Sequence, residues 1–239
     1  EFGRGSGGQF NVTVKGGTNE IHGSVYEYLL NRKLNANDQA AARQGILSPP
    51  RFDQNRVGGQ AGGPIVRNRW FVYGLYEYNP DGRESVPSQP VLAPTEAGYA
   101  RLGTMAGISK RNLDMMRQYA PPTATQTRTT AVNGVQIPIG VFTVVAPSYS
   151  NTYNWLVSSD YTISSRDQLR VRYLSNENQG LDTGAALPQF FTPQPVLSKM
   201  ASLGAFHNFA PNLTNELRLA WNRNSNTRVM PDLSWPGLD

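Results

Sequence analysis

"DQLRVRYLS", residues 167 to 175, alternates strictly between apolar and polar side chains. Leu169, Val171 and Tyr173 fall on one side of an extended chain and Gln168, Arg170 and Arg172 on the other, because successive side chains of a strand point to opposite faces. "NELRLAWNR", residues 215 to 223, repeats the arrangement, with Leu217, Leu219 and Trp221 set against Glu216, Arg218 and Asn222. Asp160 stands in the same relation to the apolar side of its own run. Asp160, Arg170, Arg172, Glu216 and Arg218 are therefore expected on one face, where they would line the lumen of a barrel and pair with one another or with a plug. In a soluble sandwich the same five would form a solvated face.

Similar runs occur at "HGSVYEYLLN" (22–31), "FDQNRVGGQAGGP" (52–64), "WFVYGLYEY" (70–78), "SYSNTYNWLVSSDYT" (148–162) and "KMASLGAFHNF" (199–209), giving about seven strands. Several are nine residues or longer. Soluble strands usually have about five or six residues, and strands that cross a membrane about nine to eleven. The connections at 65–69, 163–168 and 210–214 are tight, while those at 32–51, 79–147 and 179–198 are long, so short and long alternate. An antiparallel outer-membrane barrel sorts its connections by side in this way. The fold class expected is all-β: part of an antiparallel transmembrane barrel, an open sheet of about seven strands. Within the 79–147 connection, Thr95 and Ser109 are expected N-caps of two helices, the second stopped by Pro121-Pro122. The Tyr and Trp residues on the strands suit a membrane–water boundary and also a glycan-binding surface, which keeps a secreted soluble β-sandwich as the alternative.

Composition narrows the chemistry. The chain of 239 residues is 38% apolar, carries a formal charge of +5 and has no cysteine. Disulfides, Cys-type zinc sites and Cys nucleophiles are excluded. The basic residues are scattered, with no stripe of the kind that binds nucleic acid, so no nucleic-acid partner is expected. His22 and His207 stand without a third histidine or paired carboxylates, so they are expected to be structural and no metal or other cofactor is expected. "GRGSGG" (3–8) fits a dinucleotide fingerprint, but strand alternation in "QFNVTVKGG" follows where a helix is required. No run approaches the roughly 18 apolar residues of a spanning helix. The chain opens on Glu1 and is expected to be a piece of a longer protein.

In order and at compatible spacing, "SGGQFNVTVKGGTNEIHGSVYEYLLN", "NRVGGQAGGPIVRNRWFVYGLYEY", "YNWLVSSDYTISSRDQLRVRYL" and "HNFAPNLTNELRLAWNR" resemble the TonB-dependent outer-membrane receptors, particularly their Oar-like branch. The resemblance covers most of the chain outside 79–147, and "GGTNEIHGS" and "GGPIVRNRWFVYGLYEY" are its most specific parts. It implies that residues 1–20 end a plug domain and that 21–239 begin a barrel of twenty-two strands with a helical insertion in one extracellular loop. The hinge between them would be Gly16, Gly17, Thr18 and Asn19, with the glycines letting the chain turn from lumen to wall and the sticky side of 22–31 facing lipid. The implied function is energy-coupled uptake of a siderophore, oligosaccharide or peptide, without enzymatic activity. Its partners would be outer-membrane lipid, a TonB-type complex acting through a region N-terminal to this chain, and an extracellular ligand. Two further expectations follow: an open sheet with a detached N-terminal segment, and a higher cost for Val171→Arg than for Arg172→Val.

Overall fold

The computed structural model describes residues 14–36, 51–85, 91–142, 146–185 and 187–230, with isolated positions 39, 49 and 144. "GRGSGG" and the rest of residues 1–13 lie outside the described residues. The chain begins with β1 (His22–Asn31), β2 (Phe52–Val66) and β3 (Trp70–Ser85). An insertion follows, made of β4 (Val91–Pro94), α1 (Glu96–Thr104), α2 (Lys110–Tyr119), β5 (Arg128–Val132) and β6 (Val135–Phe142). The chain then returns as β7 (Ala146–Thr162), β8 (Asp167–Asp182), β9 (Thr192–Ala210) and β10 (Leu213–Asn226).

The long strands form one antiparallel meander of seven, in the order β1-β2-β3-β7-β8-β9-β10. The seven expected strands are all present, and β1 and β10 are each paired on one side only, so the sheet is open. Turns at 67–69, 163–166 and 211–212 define one end of the sheet, and the long connections leave from the other. Several strands outrun their expected bounds at the loop end: β3 continues through "NPDGRES" to Ser85, β8 reaches Asp182 and β9 begins at Thr192. Pro, Gly and Asp read as turn residues in isolation, but each rung there is held by its neighbours, down to Ser85 opposite Ala146. The insertion therefore begins and ends on one rung and is narrower than 79–147.

Register divides the side chains cleanly. Direct partners in an antiparallel pair share a face, so the row Trp70–Tyr161–Leu169–Ala205–Leu217 runs across five strands on one side. The row Phe71–Asp160–Arg170–Gly204–Arg218 runs beside it on the other. The apolar face is exposed rather than packed: Val171, Leu203, Leu219 and Trp221 all lie open. No second described sheet covers it, since the insertion's three strands form a separate sheet, β4-β6-β5, and this disfavours the soluble sandwich. Trp70 and Tyr161 mark the turn end of that face with rings 6.0 Å apart, while the Tyr76–Trp155 and Tyr78–Tyr153 ring pairs, 4.2 and 4.8 Å apart, stand nearer the loop end. From Trp70 to Tyr78 is roughly 27 Å of strand at about 3.4 Å per residue. After tilting, this is close to the spacing of aromatic girdles around an apolar band about 25 Å tall. In β1 the expectation is only partly met. Val25 and Leu29 lie on the apolar face, but Tyr26 and Tyr28 pair with Gly58 and Arg56 on the polar one.

The insertion folds around its own interior. Leu102, Ile137 and Ile139 are buried there, with Leu92, Met105, Leu113 and Val132 packed against them. Both expected caps are present: Thr95 Oγ1 accepts from the Gly98 amide at 3.2 Å and Ser109 Oγ from the Asn112 amide at 3.3 Å. The three strands were not expected. Their hairpin turns on Asn133 and Gly134, with φ of 47° and 79°, the left-handed pair that a two-residue Asn-Gly turn requires.

Candidate functional site: the junction on the polar face

The segment before β1 is not detached; it lies against the polar face near the turn end. Ser158 Oγ, which is buried, donates to the Lys15 carbonyl at 2.8 Å. A Cβ on Gly16 would come within 2.5 Å of Asp160 Oδ2, and one on Gly17 within 2.5 Å of the Val72 carbonyl oxygen and 2.8 Å of that of Gly63. Neither glycine has the positive φ that would call for backbone freedom. Their smallness serves close approach, letting bare backbone lie on the wall in a tight contact.

Next along the chain, Thr18 Oγ1 donates to the Glu20 carbonyl at 2.9 Å. Asn19 clamps the rim: its Nδ2 donates to Asn68 Oδ1 at 2.6 Å, and its Oδ1 accepts from the Asn68 amide at 2.7 Å. Asn68 holds the turn between β2 and β3 with φ of 56°, a conformation asparagine tolerates better than most residues. Between the segment and the wall is a recess of about 330 Å³, lined in part by Lys15, Thr18, His22, Gln60 and Tyr73.

The five charged residues singled out from parity all lie on this face, in two groups. Arg172 Nη2 approaches Asp160 at 2.8 Å from Oδ1 and 3.1 Å from Oδ2; only the second contact has hydrogen-bond alignment. This pair sits beneath Gly16 and is the part of the charged set that touches the junction. Arg170, directly opposite Asp160, instead lies over the Phe206 ring at 4.5 Å, and Arg218 pairs with Glu216 farther along the sheet.

A second polar centre was missed by the sequence reading. Glu77 is buried on the polar face, where it accepts from Tyr26 Oη at 2.7 Å, Arg56 Nε at 2.7 Å and Asn154 Nδ2 at 3.1 Å. Asn176 extends the network to Asn154 at 2.5 Å, so five strands contribute. The available signal was one carboxylate inside the apolar run "WFVYGLYEY". Directly beside this centre, Leu75, Leu156, Leu174 and Met200 form an apolar row on the same face.

Neither histidine joins a metal cluster among the described residues. His22 lies 3.5 Å from Glu20, and His207 Nδ1 lies 2.6 Å from Asp167 at the turn end. No described helix is long and apolar enough to cross a membrane, which says nothing about crossing by strands.

No curated protein and no solved structure matches the chain. The sequence model of a family described as an outer membrane beta barrel domain matches residues 13–237, nearly the whole length. An antiparallel meander of long strands, apolar on one face with aromatic belts and polar on the other, is what such a domain requires. The chain belongs to the outer membrane beta barrel domain family, and its place is the bacterial outer membrane.

Proposed function

We propose that the chain is the junction and first part of the barrel of a TonB-dependent, Oar-like receptor, a non-enzymatic importer that takes up an extracellular ligand with energy delivered through a plug. On this reading the polar face lines the lumen, and the long connections, including the insertion, face the medium. The observation that carries it is the course of residues 15–19. The chain arrives along the polar face, is held there by Ser158, fits over the Asp160–Arg172 pair only because it has glycines, and rounds the rim at Asn19 to enter β1. A strand entering directly from the periplasm needs none of these contacts. A chain leaving a domain lodged inside the barrel needs all of them. Pulling from the periplasmic side would load this short segment first, and the hydrogen bond from Ser158 to the Lys15 carbonyl, worth about 1 kcal/mol, would give way before the paired Asn19–Asn68 clamp at the rim.

The full-length parent in planar bilayers, with potassium chloride carrying the current, tests the reading. The intact protein is expected to be nearly closed. Deleting the region upstream of Gly16 is expected to open a wide pore, and purified TonB C-terminal domain is expected to bind only the intact form. A wide pore in the intact protein, or none after the deletion, would refute the proposal.

A further inference from the structure

Charge on the apolar face is confined to its margins, and one cluster there has no described counterion. Lys199 on β9 and Arg223 on β10 are direct cross-strand partners. Both sit one outward position nearer the loop end than the Ala201–Trp221 pair. Cross-strand partners have Cβ atoms roughly 5 Å apart, and like charges so placed repel. Among the described residues neither cation makes an ion pair. The nearest outward carboxylate by register is Glu177, diagonal to Lys199, and it accepts from Gln179 Nε2 at 2.9 Å instead.

The same row continues inward through Ser175 on β8 and Trp155 on β7 to Tyr76 on β3. It therefore holds two packed aromatic rings, a hydroxyl and two cations. Aromatic rings of this kind settle where acyl chains give way to headgroups. Between them and the turn-end aromatic pair of Trp70 and Tyr161 the outward positions are uncharged, including Val157, Val171, Leu203 and Leu219.

We infer that Lys199 and Arg223, with Ser175 beside them, bind the phosphate of an anionic lipid headgroup in the leaflet on the loop side. Lipid is the source because the cations border an apolar surface that lipid alone covers, so the phosphate arrives with its acyl chains lying along that surface. The phosphate relieves the repulsion between the cations and accepts charge-assisted hydrogen bonds from both. The inference rests on the apolar face being the lipid-facing one.

The test uses the full-length parent in phosphatidylcholine vesicles with and without phosphatidic acid, reading lipid retained in native mass spectra and the unfolding temperature. Wild type is expected to retain phosphatidic acid selectively and to melt higher in its presence, while inorganic phosphate in solution has no such effect. Lys199→Ala/Arg223→Ala is expected to lower retention by at least about tenfold, the equivalent of one lost charge-assisted hydrogen bond. Lys199→Arg is expected to keep it. If the double alanine variant does not fold, Lys199→Gln/Arg223→Gln serves in its place. Unchanged retention in the double variant overturns the site, and equal stabilisation by inorganic phosphate overturns the lipid as its occupant. Arg218→Ala, on the opposite face, separates the two readings: a loss there that matches the double variant's would mean that the assignment of faces is itself wrong.

Discussion

The insertion and the seven-stranded sheet are built from similar residues but solve opposite solvent problems. In the insertion Tyr99 and Ile137 are 2% and 1% exposed, and both helices carry side-chain N-caps. In the sheet Leu217 and Trp221 are 56% and 51% exposed, while a carboxylate, Glu77, is buried. The insertion hides apolar surface from water by its own packing. The sheet leaves apolar surface open and packs its polar groups together, which is stable only when lipid covers the first and the interior of a barrel holds the second.

The sharpest way to break this comparison is solubility. Residues 1–239 expressed alone are expected to aggregate, because the sheet has two open edges and an uncovered apolar face. Replacing the insertion by a short Gly-Ser linker in the full-length parent is expected to leave a heat-modifiable barrel, since Ser85 and Ala146 are already partners on one rung. A soluble monomer of 1–239 with cooperative unfolding would mean that the sheet has a water-compatible partner.

Next in size is Ile137→Ala, expected to destabilise the insertion by about 2–5 kcal/mol through lost packing and a cavity. Hydrogen exchange on the parent should accelerate within 91–142 and stay unchanged in β8. Equal acceleration in both would show one cooperative unit instead of two.

Val171→Arg, on the apolar face between the aromatic belts, is expected to cost about 2–4 kcal/mol in unfolding measurements on vesicles. The proper control is Arg170→Val, which removes a cation lying over Phe206 and is expected to cost about 1 kcal/mol or less. Arg172→Val is no longer the mild counterpart that strand parity alone suggests, because it would leave Asp160 without its cation beneath Gly16. If Arg170→Val cost more than Val171→Arg, the faces would be exchanged, as a one-residue register slip produces.

The smallest effect belongs to Thr95→Ala, expected to cost the insertion about 1 kcal/mol by leaving the first turn of α1 uncapped. The same exchange readout should move slightly within 91–142 and nowhere in the sheet.

What was legible in the sequence follows from which forces are periodic. Alternation in "QLRVRY" and "LRLAW" is a local consequence of one face meeting lipid, so the strands and the shared face of Asp160, Arg170, Arg172, Glu216 and Arg218 could be read without coordinates. The Asn133-Gly134 hairpin was equally local, but the helical signals around it masked it. The role of Gly16 and Gly17 was not legible, because a glycine required by a crowded neighbour looks the same in sequence as one required by a turn. The Glu77 centre depends on partners from Tyr26 to Asn176, and only the register of five strands brings them together.

The row from Trp70 to Leu217 carries one more consequence. It starts at the first residue of β3 and reaches β10 about four positions in from Leu213, a stagger of roughly one residue per strand over four pairings. With a rise of about 3.4 Å per residue and strands about 4.8 Å apart, that stagger sets an inclination of roughly 35° to the axis. The wall is thus wound like a screw thread whose pitch is already fixed by these strands. A thread of this pitch closed with about twenty-two strands, the size seen in plugged outer-membrane transporters, has a radius of roughly 20 Å. The strands described would then be about a third of its circumference. On the proposed receptor reading, side chains reaching in from such a wall would not meet across the bore, which would leave its blocking to the plug.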